Sequence, residues 1–315
     1  MLTAATPRAS DLRLQARAYF RMGRTIRYEN WLGTPLWWTS LPAALATDGH
    51  TLLLVGLTLM VYMSMVAVAG TLDDVQGLRD GSDRINYEAS GPTGLRPMTR
   101  KPLLLEWVTE AQAVRYAAVA AVSCGGFLVA SWLVGTAEPA WWLPAYVVVL
   151  VAGAQYSSGL KLSYIGAQEL LLATVVISST VFPFLLVTGH LPAMGAVTAL
   201  VYALWFVQVS MCSNSHDIEG DRSVGRRTFA ALASDAVNRR VVTTTFVSAW
   251  ALVATATLVG WWSPWQLLAV VPAAVLHARQ LQLFLAGDPL HARAVGFIAL
   301  RVGVAGLVLA NLGVR

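Results

Sequence analysis

The chain has 315 residues, 56% of them hydrophobic and only 12% charged, with a formal net charge of +5 and a mean hydropathy of +0.59. A soluble domain carries about 25% charged residues, so this composition excludes a water-soluble enzyme and points to a polytopic membrane protein. The positive charge comes without a nucleic-acid-binding motif, which excludes nucleic acid as a partner and suits lipid headgroups or phosphorylated ligands.

The N-terminal segment, residues 1–27, is basic. Arg13, Arg17, Arg21 and Arg24 recur at helical spacing beside Leu12, Leu14 and Tyr19. This pattern reads either as an amphipathic helix on the inner membrane surface or as a basic arm that only enforces topology. No short apolar core with a cleavage site follows, so it is not a cleavable signal. Residues 28–315 read as one transmembrane domain. Apolar stretches of about 20 residues recur about nine times, centred near Leu41, Tyr62, Ala121, Val149, Val176, Leu204, Ala251, Val271 and Val304. The expectation is an all-α protein of two four-helix halves plus one helix around a central cavity. Arg79, Arg84, Arg96, Arg100 and Lys101 follow the second span, and Arg222, Arg226, Arg227, Arg239 and Arg240 follow the sixth. Connections near Asp48, Glu138, Gly189 and Ser263 carry no Lys or Arg. The positive-inside rule therefore places the N-terminus and both basic connections on the cytoplasmic side of a bacterial-type plasma membrane. Cys124 and Cys212 fall inside spans and imply neither a disulfide nor a metal site.

The second span runs into LDDVQGLRDGSD, Leu72 to Asp83, which crowds Asp73, Asp74, Asp80 and Asp83 at a membrane edge. Two carboxylates about 4 Å apart repel by roughly 4 kcal/mol at an effective dielectric near 20, so such a group calls for a cation. Oxygen donors without Cys or His favour magnesium, which keeps waters and is completed by phosphate. The alternative is a solvated loop in which Arg79 and Arg84 neutralise Asp80 and Asp83. The connection from Ile85 to Glu110, with Gly91, Pro92, Gly94, Pro97 and Pro102, reads as a mobile cap. Thr109 with Gln112 forms a capping box that opens the next helix.

The sixth span runs into SHDIEGDRSVG, Ser215 to Gly225. Asp217 and Asp221 form an i, i+4 pair, and Asn214 lies one turn earlier as a further oxygen donor. Arg222, Arg226 and Arg227 can pair with phosphate oxygens, although positive-inside topology alone also accounts for such arginines. Asp74-x-x-Gly77 is echoed by Asp217-x-x-Gly220 four spans later, so the two halves would bring both acidic groups to one cavity mouth. His216 beside Asp217 reads as a residue that orients that aspartate, or as a proton acceptor. The tryptophan pairs Trp37-Trp38, Trp141-Trp142 and Trp261-Trp262 read mostly as interfacial anchors.

Three motifs together resemble the UbiA superfamily of intramembrane prenyltransferases. They are Asp73-Asp74-x-x-Gly77 through Gly81-x-Asp83; Tyr156-Ser157-Ser158-Gly159-Leu160-Lys161-Leu162-Ser163-Tyr164; and Asn214-x-x-Asp217-x-x-x-Asp221 with Gly225-Arg226-Arg227-Thr228. The resemblance implies nine helices around a cavity, Mg2+ as cofactor, and transfer of an isoprenyl group from its allylic diphosphate to a small aromatic acceptor in the bilayer. It implies metal ligation by Asp73, Asp74, Asp80, Asp83, Asp217 and Asp221, and diphosphate contacts from Lys161, Asn214, Arg222, Arg226 and Arg79. Tyr156 and Lys161 take the catalytic positions. The chain departs from the family at Gly77, where an aspartate is usual and Asp80 is a candidate substitute, and at His216, where an arginine is common. Two other readings stay open: a terpene cyclase of the same superfamily, acting intramolecularly, and a secondary transporter with an acidic ion site. Transporter sites usually lie in mid-membrane broken helices, and these acids lie at span ends.

Overall fold

The structure, a computed structural model, describes residues 11–24, 28–89, 95–135 and 141–313. Helices account for its regular structure, and no strand forms among the described residues. The expected all-α, polytopic architecture is what these residues build. Among the described residues seven helices are long and apolar enough to cross a membrane: α4 (Gly49–Asp80), α6 (Glu110–Val134), α8 (Gln168–Thr188), α9 (Ala193–His216), α12 (Asp235–Leu258), α13 (Pro264–Leu285) and α14 (Pro289–Gly313). A shorter apolar helix, α7, covers Leu143–Ala154.

The stretch centred on Leu41 is not one long helix. It divides into α2 (Gly33–Thr39) and α3 (Ala43–Ala46), because Pro42 has no N–H to donate and disfavours helix at the residue before it. Ahead of them, α1 (Leu12–Met22) starts at Asp11, whose side chain accepts from the Arg13 and Leu14 amides. Ala18 and Met22 of α1 pack with Val75, Leu103 and Trp107, while Leu12 and Phe20 stay exposed. One face of α1 therefore docks on the domain, as an amphipathic helix requires.

Local signals set the helix ends. The expected capping box of Thr109 and Gln112 opens α6, and Ser263 with Gln266 opens α13 in the same way. At 32 residues, α4 is about 48 Å long and exceeds a hydrocarbon core of about 30 Å. Its last turns therefore carry Asp73 and Asp74 to one face of the bundle. It stops at Gly81, which takes a left-handed φ of 82°, and α5 (Ser82–Ala89) turns back from there. On the other half, α9 ends at His216 and the short α10 (Ile218–Ser223) continues from Asp217, with α11 (Phe229–Leu232) following. Asp217 thus sits at the junction of the two helices, with Asp221 in α10 and its amide donating to the Asp217 carbonyl at 2.8 Å.

The main core lies among α8, α9, α12, α13 and α14 and holds Tyr202, Trp205, Val253, Trp262, Leu300 and Leu307. Within each expected interfacial tryptophan pair one member is buried: Trp37, Trp142 and Trp262 are core residues, whereas Trp141 and Trp261 are exposed. Buried polar groups pair across helices, as lipid demands. Gln266 donates to Asn311 at 2.8 Å, Asn311 reaches Ser40 at 3.2 Å, and Arg301 pairs with the buried Glu29. Both cysteines are free thiols.

Glycines let α13 and α14 touch backbone to backbone. A Cβ on Gly306 would strike the Ala269 carbonyl, which cannot swing aside as a side chain can. We expect Gly306→Ala to lower the thermal unfolding midpoint in detergent by several degrees, the scale of an overpacked core. Gly56→Ala in α4, where a Cβ meets nothing, serves as the control and should leave the midpoint in place.

Candidate active site

Both acidic segments arrive at the same place. The C-terminal ends of α4 and α9 and the N-terminal ends of α8 and α14 surround a cavity of about 300 Å3 whose lining includes Asp73, Asp83, Asp217, Asp221, Asn214, Tyr156 and Arg226. Arg226, from the second acidic segment, stands 3.3 Å from Asp73 of the first. Helix α10 packs on α5 so closely that a Cβ on Gly220 would collide with Asn86.

The carboxylates are held by basic side chains drawn from across the chain. Asp74, 1% exposed, accepts from Arg24 at 2.8 Å and Lys101 at 2.7 Å. Lys101 bridges on to Asp83 at 2.7 Å. Arg96 grips both oxygens of Asp217, at 2.5 and 2.8 Å, and also binds Ser213. These residues read in the sequence as topology determinants or as part of the cap, and nothing in their spacing distinguishes them from the other arginines of the basic connections. Of the predicted cap, Gly91, Pro92 and Gly94 lie outside the described residues, whereas Arg96 and Lys101 form its anchoring points on the acidic cluster.

Gly77 finds its explanation here. The turn at Gly81 folds Asp83 back so that its carboxylate fills the space a Cβ at Gly77 would need. Asp83 therefore stands where a side chain at position 77 would reach. Asp80 points elsewhere: it accepts from the Tyr164 hydroxyl at 2.5 Å, from Gln76 at 3.3 Å and from the Ser82 amide at 3.0 Å, and it is absent from the cavity lining. Gly70 makes room in the same manner for the Arg24 side chain.

The loop after α7 forms one wall. Ser157 donates to Asp73 at 2.6 Å, and Arg226 reaches Ser163 at 3.1 Å. A single parallel bridge joins Ile165 to Arg227. Arg226 also lies over the rings of Tyr156, at 5.7 Å, and Tyr164, at 5.3 Å, within cation–π range. Lys161 adopts a left-handed φ of 49° and sits on the exposed rim, 5.4 Å from the Tyr164 ring. Arg79 pairs with Glu110 at 2.5 Å on the surface, and Arg222 donates to the Ala231 carbonyl at 2.9 Å; neither lines the cavity. Asn214 does, tied to Glu169 at 2.7 Å and Gln168 at 3.0 Å. Arg293 of α14 enters the lining too, over the Phe297 ring at 4.8 Å, and no sequence motif pointed to it.

Low dielectric and crowding set the protonation of the groups at this face. Burial pushes the Asp221 carboxyl up to about 7, against the pull of Arg226 and with added repulsion from Asp217. Burial likewise raises Asp83, partly offset by Lys101. Lys101 is raised, because Asp74 and Asp83 outweigh the burial that alone would lower it. Arg226 is raised in the same sense by Asp73, against burial.

The donor set suits a hard divalent cation. The converging groups are carboxylate and amide oxygens, and the buried Asp74 Oδ2 has no hydrogen-bond partner, a costly state unless something positive reaches it. Among the described residues no three such ligands are arranged as a ready-made metal site, since arginine and lysine hold the carboxylates in this conformation. A metal would take over positions those cations now fill.

A model of the UbiA prenyltransferase family matches residues 32–301. A structure solved in work on the biosynthesis of digeranylgeranylglyceryl phosphate synthase in membranes aligns with a TM-score of 0.64 and 13% identity, over 96% of this chain and 100% of that one. At that identity the likeness is one of fold. No curated protein matches the chain in sequence.

In metal-free protein the Asp221 carboxyl should lose its proton near neutral pH. Infrared difference spectra between pH 5.5 and 8 are expected to show a protonated carboxyl band disappearing with a midpoint near 7. Asp221→Asn should remove that step, and a band unchanged by the substitution would assign the proton elsewhere.

Proposed function

The chain belongs to the UbiA prenyltransferase family, and on that basis we propose that it transfers an isoprenyl group from an allylic diphosphate to a small aromatic acceptor, with Mg2+ at the acidic mouth of the cavity. It is an integral membrane prenyltransferase whose substrate is an isoprenyl diphosphate. We further assign residues 28–315 to one catalytic domain and the acidic mouth to the cytoplasmic face of a bacterial-type plasma membrane, on the distribution of Lys and Arg. The observation that carries the reading is the convergence of two aspartate groups, from opposite halves of the chain, around one cavity that is polar at its mouth and apolar inside.

Asp73, Asp74, Asp83, Asp217 and Asp221 are the proposed metal ligands, with Asp80 held one turn outside them by Tyr164. Bound magnesium would supply charge neutralisation of the diphosphate, which is otherwise a poor leaving group. The protein's own cations add to this. Arg226, Arg96 and Lys101 already lie among the carboxylates and are placed to turn from them onto phosphate oxygens, and Lys161 on the rim is the proposed further cation for the diphosphate. Asn214, held on the cavity wall by Gln168 and Glu169, is a proposed diphosphate contact. The Tyr156 face lines the cavity beside Arg226 and would stabilise an allylic cation once Arg226 is engaged by diphosphate. Apolar neighbours such as Val66, Leu172 and Phe206 keep water from that cation. Arg293, which shares the cavity lining with Phe297, is the proposed counter-charge for an ionised substituent of the acceptor. The lipid bilayer delivers the apolar tail.

Purified protein in detergent, given magnesium and isoprenyl diphosphates with and without phenolic or naphthoic acceptors, should release diphosphate only when an acceptor is present. Release with a hydrocarbon product in its absence would instead mark a cyclase. Asp74→Asn and Asp217→Asn are each expected to cut release by about a hundredfold or more, the scale of lost charge stabilisation. Helical content by circular dichroism should be unchanged. Activity within about tenfold of wild type in either variant would remove the roles assigned to these aspartates.

A further inference from the structure

The cavity has a floor. Its lining on α4 runs from Asp73 to Tyr62, and on α9 from Asp217 to Phe206. Each run covers eleven residue steps, or about 16 Å of helix axis. The lining on α8 ends at Val175 and on α14 at Phe297. Tyr62 and Val175 belong to one packed cluster, so α4 and α8 meet at the deep end of the lining.

The floor is also stiff. Tyr62 is 4% exposed and packs in one cluster with Val61, Met65, Tyr146, Leu150 and Val175. Behind Phe206 stands Tyr202, edge-on with ring centroids 6.3 Å apart, fully buried and donating to the Glu29 carbonyl at 3.0 Å. A wall packed in this way resists the insertion of extra methylenes, which overpacks at a cost of about 1–3 kcal/mol.

An extended isoprene unit advances about 5 Å, given carbon–carbon bonds of about 1.5 Å. A depth of about 16 Å below the diphosphate therefore holds about three units. We propose that Tyr62 sets the length of the donor, restricting it to short allylic diphosphates of two to three isoprene units, geranyl and farnesyl in chemical terms. This rests on the prenyl-transfer reading of the site and adds to it a residue that measures the substrate.

The test is a donor series of geranyl, farnesyl and geranylgeranyl diphosphate. It is read both as diphosphate release and as displacement of a fluorescent farnesyl diphosphate analogue from the magnesium-loaded protein. Wild type should favour farnesyl over geranylgeranyl diphosphate by about tenfold or more in kcat/KM and in competition. Tyr62→Ala should raise the use of the longer donor by about tenfold. Val175→Phe, which adds bulk at the same level, should move the preference the other way, toward geranyl. Equal use of farnesyl and geranylgeranyl diphosphate by wild type would overturn the proposal, as would profiles that neither substitution moves. If no donor of any length is cleaved or competes, the prenyl-transfer reading falls, and the ruler with it. Short donors cleaved without length discrimination would sink the ruler alone.

Discussion

Everything at the working end of this molecule depends on compensating five aspartates gathered where the dielectric is low. Carboxylates this buried are tolerated only with cations against them, and the chain supplies those cations from three separate places. Arg24 comes from the end of α1, Arg96 and Lys101 from the connection before α6, and Arg226 from the loop after α10. Removing one partner of a buried ion pair costs far more than the pair contributes. The acids and bases therefore position one another, and the loops that carry them are pulled over the cavity.

That balance connects structure to chemistry. A metal-bound diphosphate brings both signs of charge: its ions can replace the basic groups at the carboxylates, and its oxygens can take those basic groups as new partners. The charge count at the mouth stays close to even before and after binding, so the site can be assembled without a substrate and still accept a highly charged one. Below the mouth the lining turns apolar within two helical turns, at Val66 on α4 and Leu172 on α8, which is where a reactive allylic group needs to be dry.

Much of this was legible in the residues themselves. Hydropathy identified the long spans, because a lipid-facing helix has no other composition available to it. The three polar motifs stood out because charge at a membrane edge is costly and rarely retained without use. Less was visible where geometry intervenes. Asp80 and Asp83 are equivalent by composition, and the left-handed turn at Gly81 sends one to Tyr164 and the other back over Gly77. Arg96 and Lys101 look like ordinary cytoplasmic charges until the fold sets them on Asp217 and Asp74. Arg293 lies in an apolar helix more than sixty residues beyond the last motif, and only the packing of α14 against α9 brings it to the cavity.

By itself, the sequence determined that the chain lives in a membrane, that two acidic groups lie at span ends, and that the donors gathered there are carboxylate and amide oxygens. Those conclusions rest on transfer free energies and donor types, which belong to residues one at a time or in short runs. Tertiary structure alone decided which carboxylate meets which base, which arginine faces the cavity, and how deep the apolar pocket runs before Tyr62 closes it. Those are distances between residues far apart in the chain, and they exist only once the helices have packed.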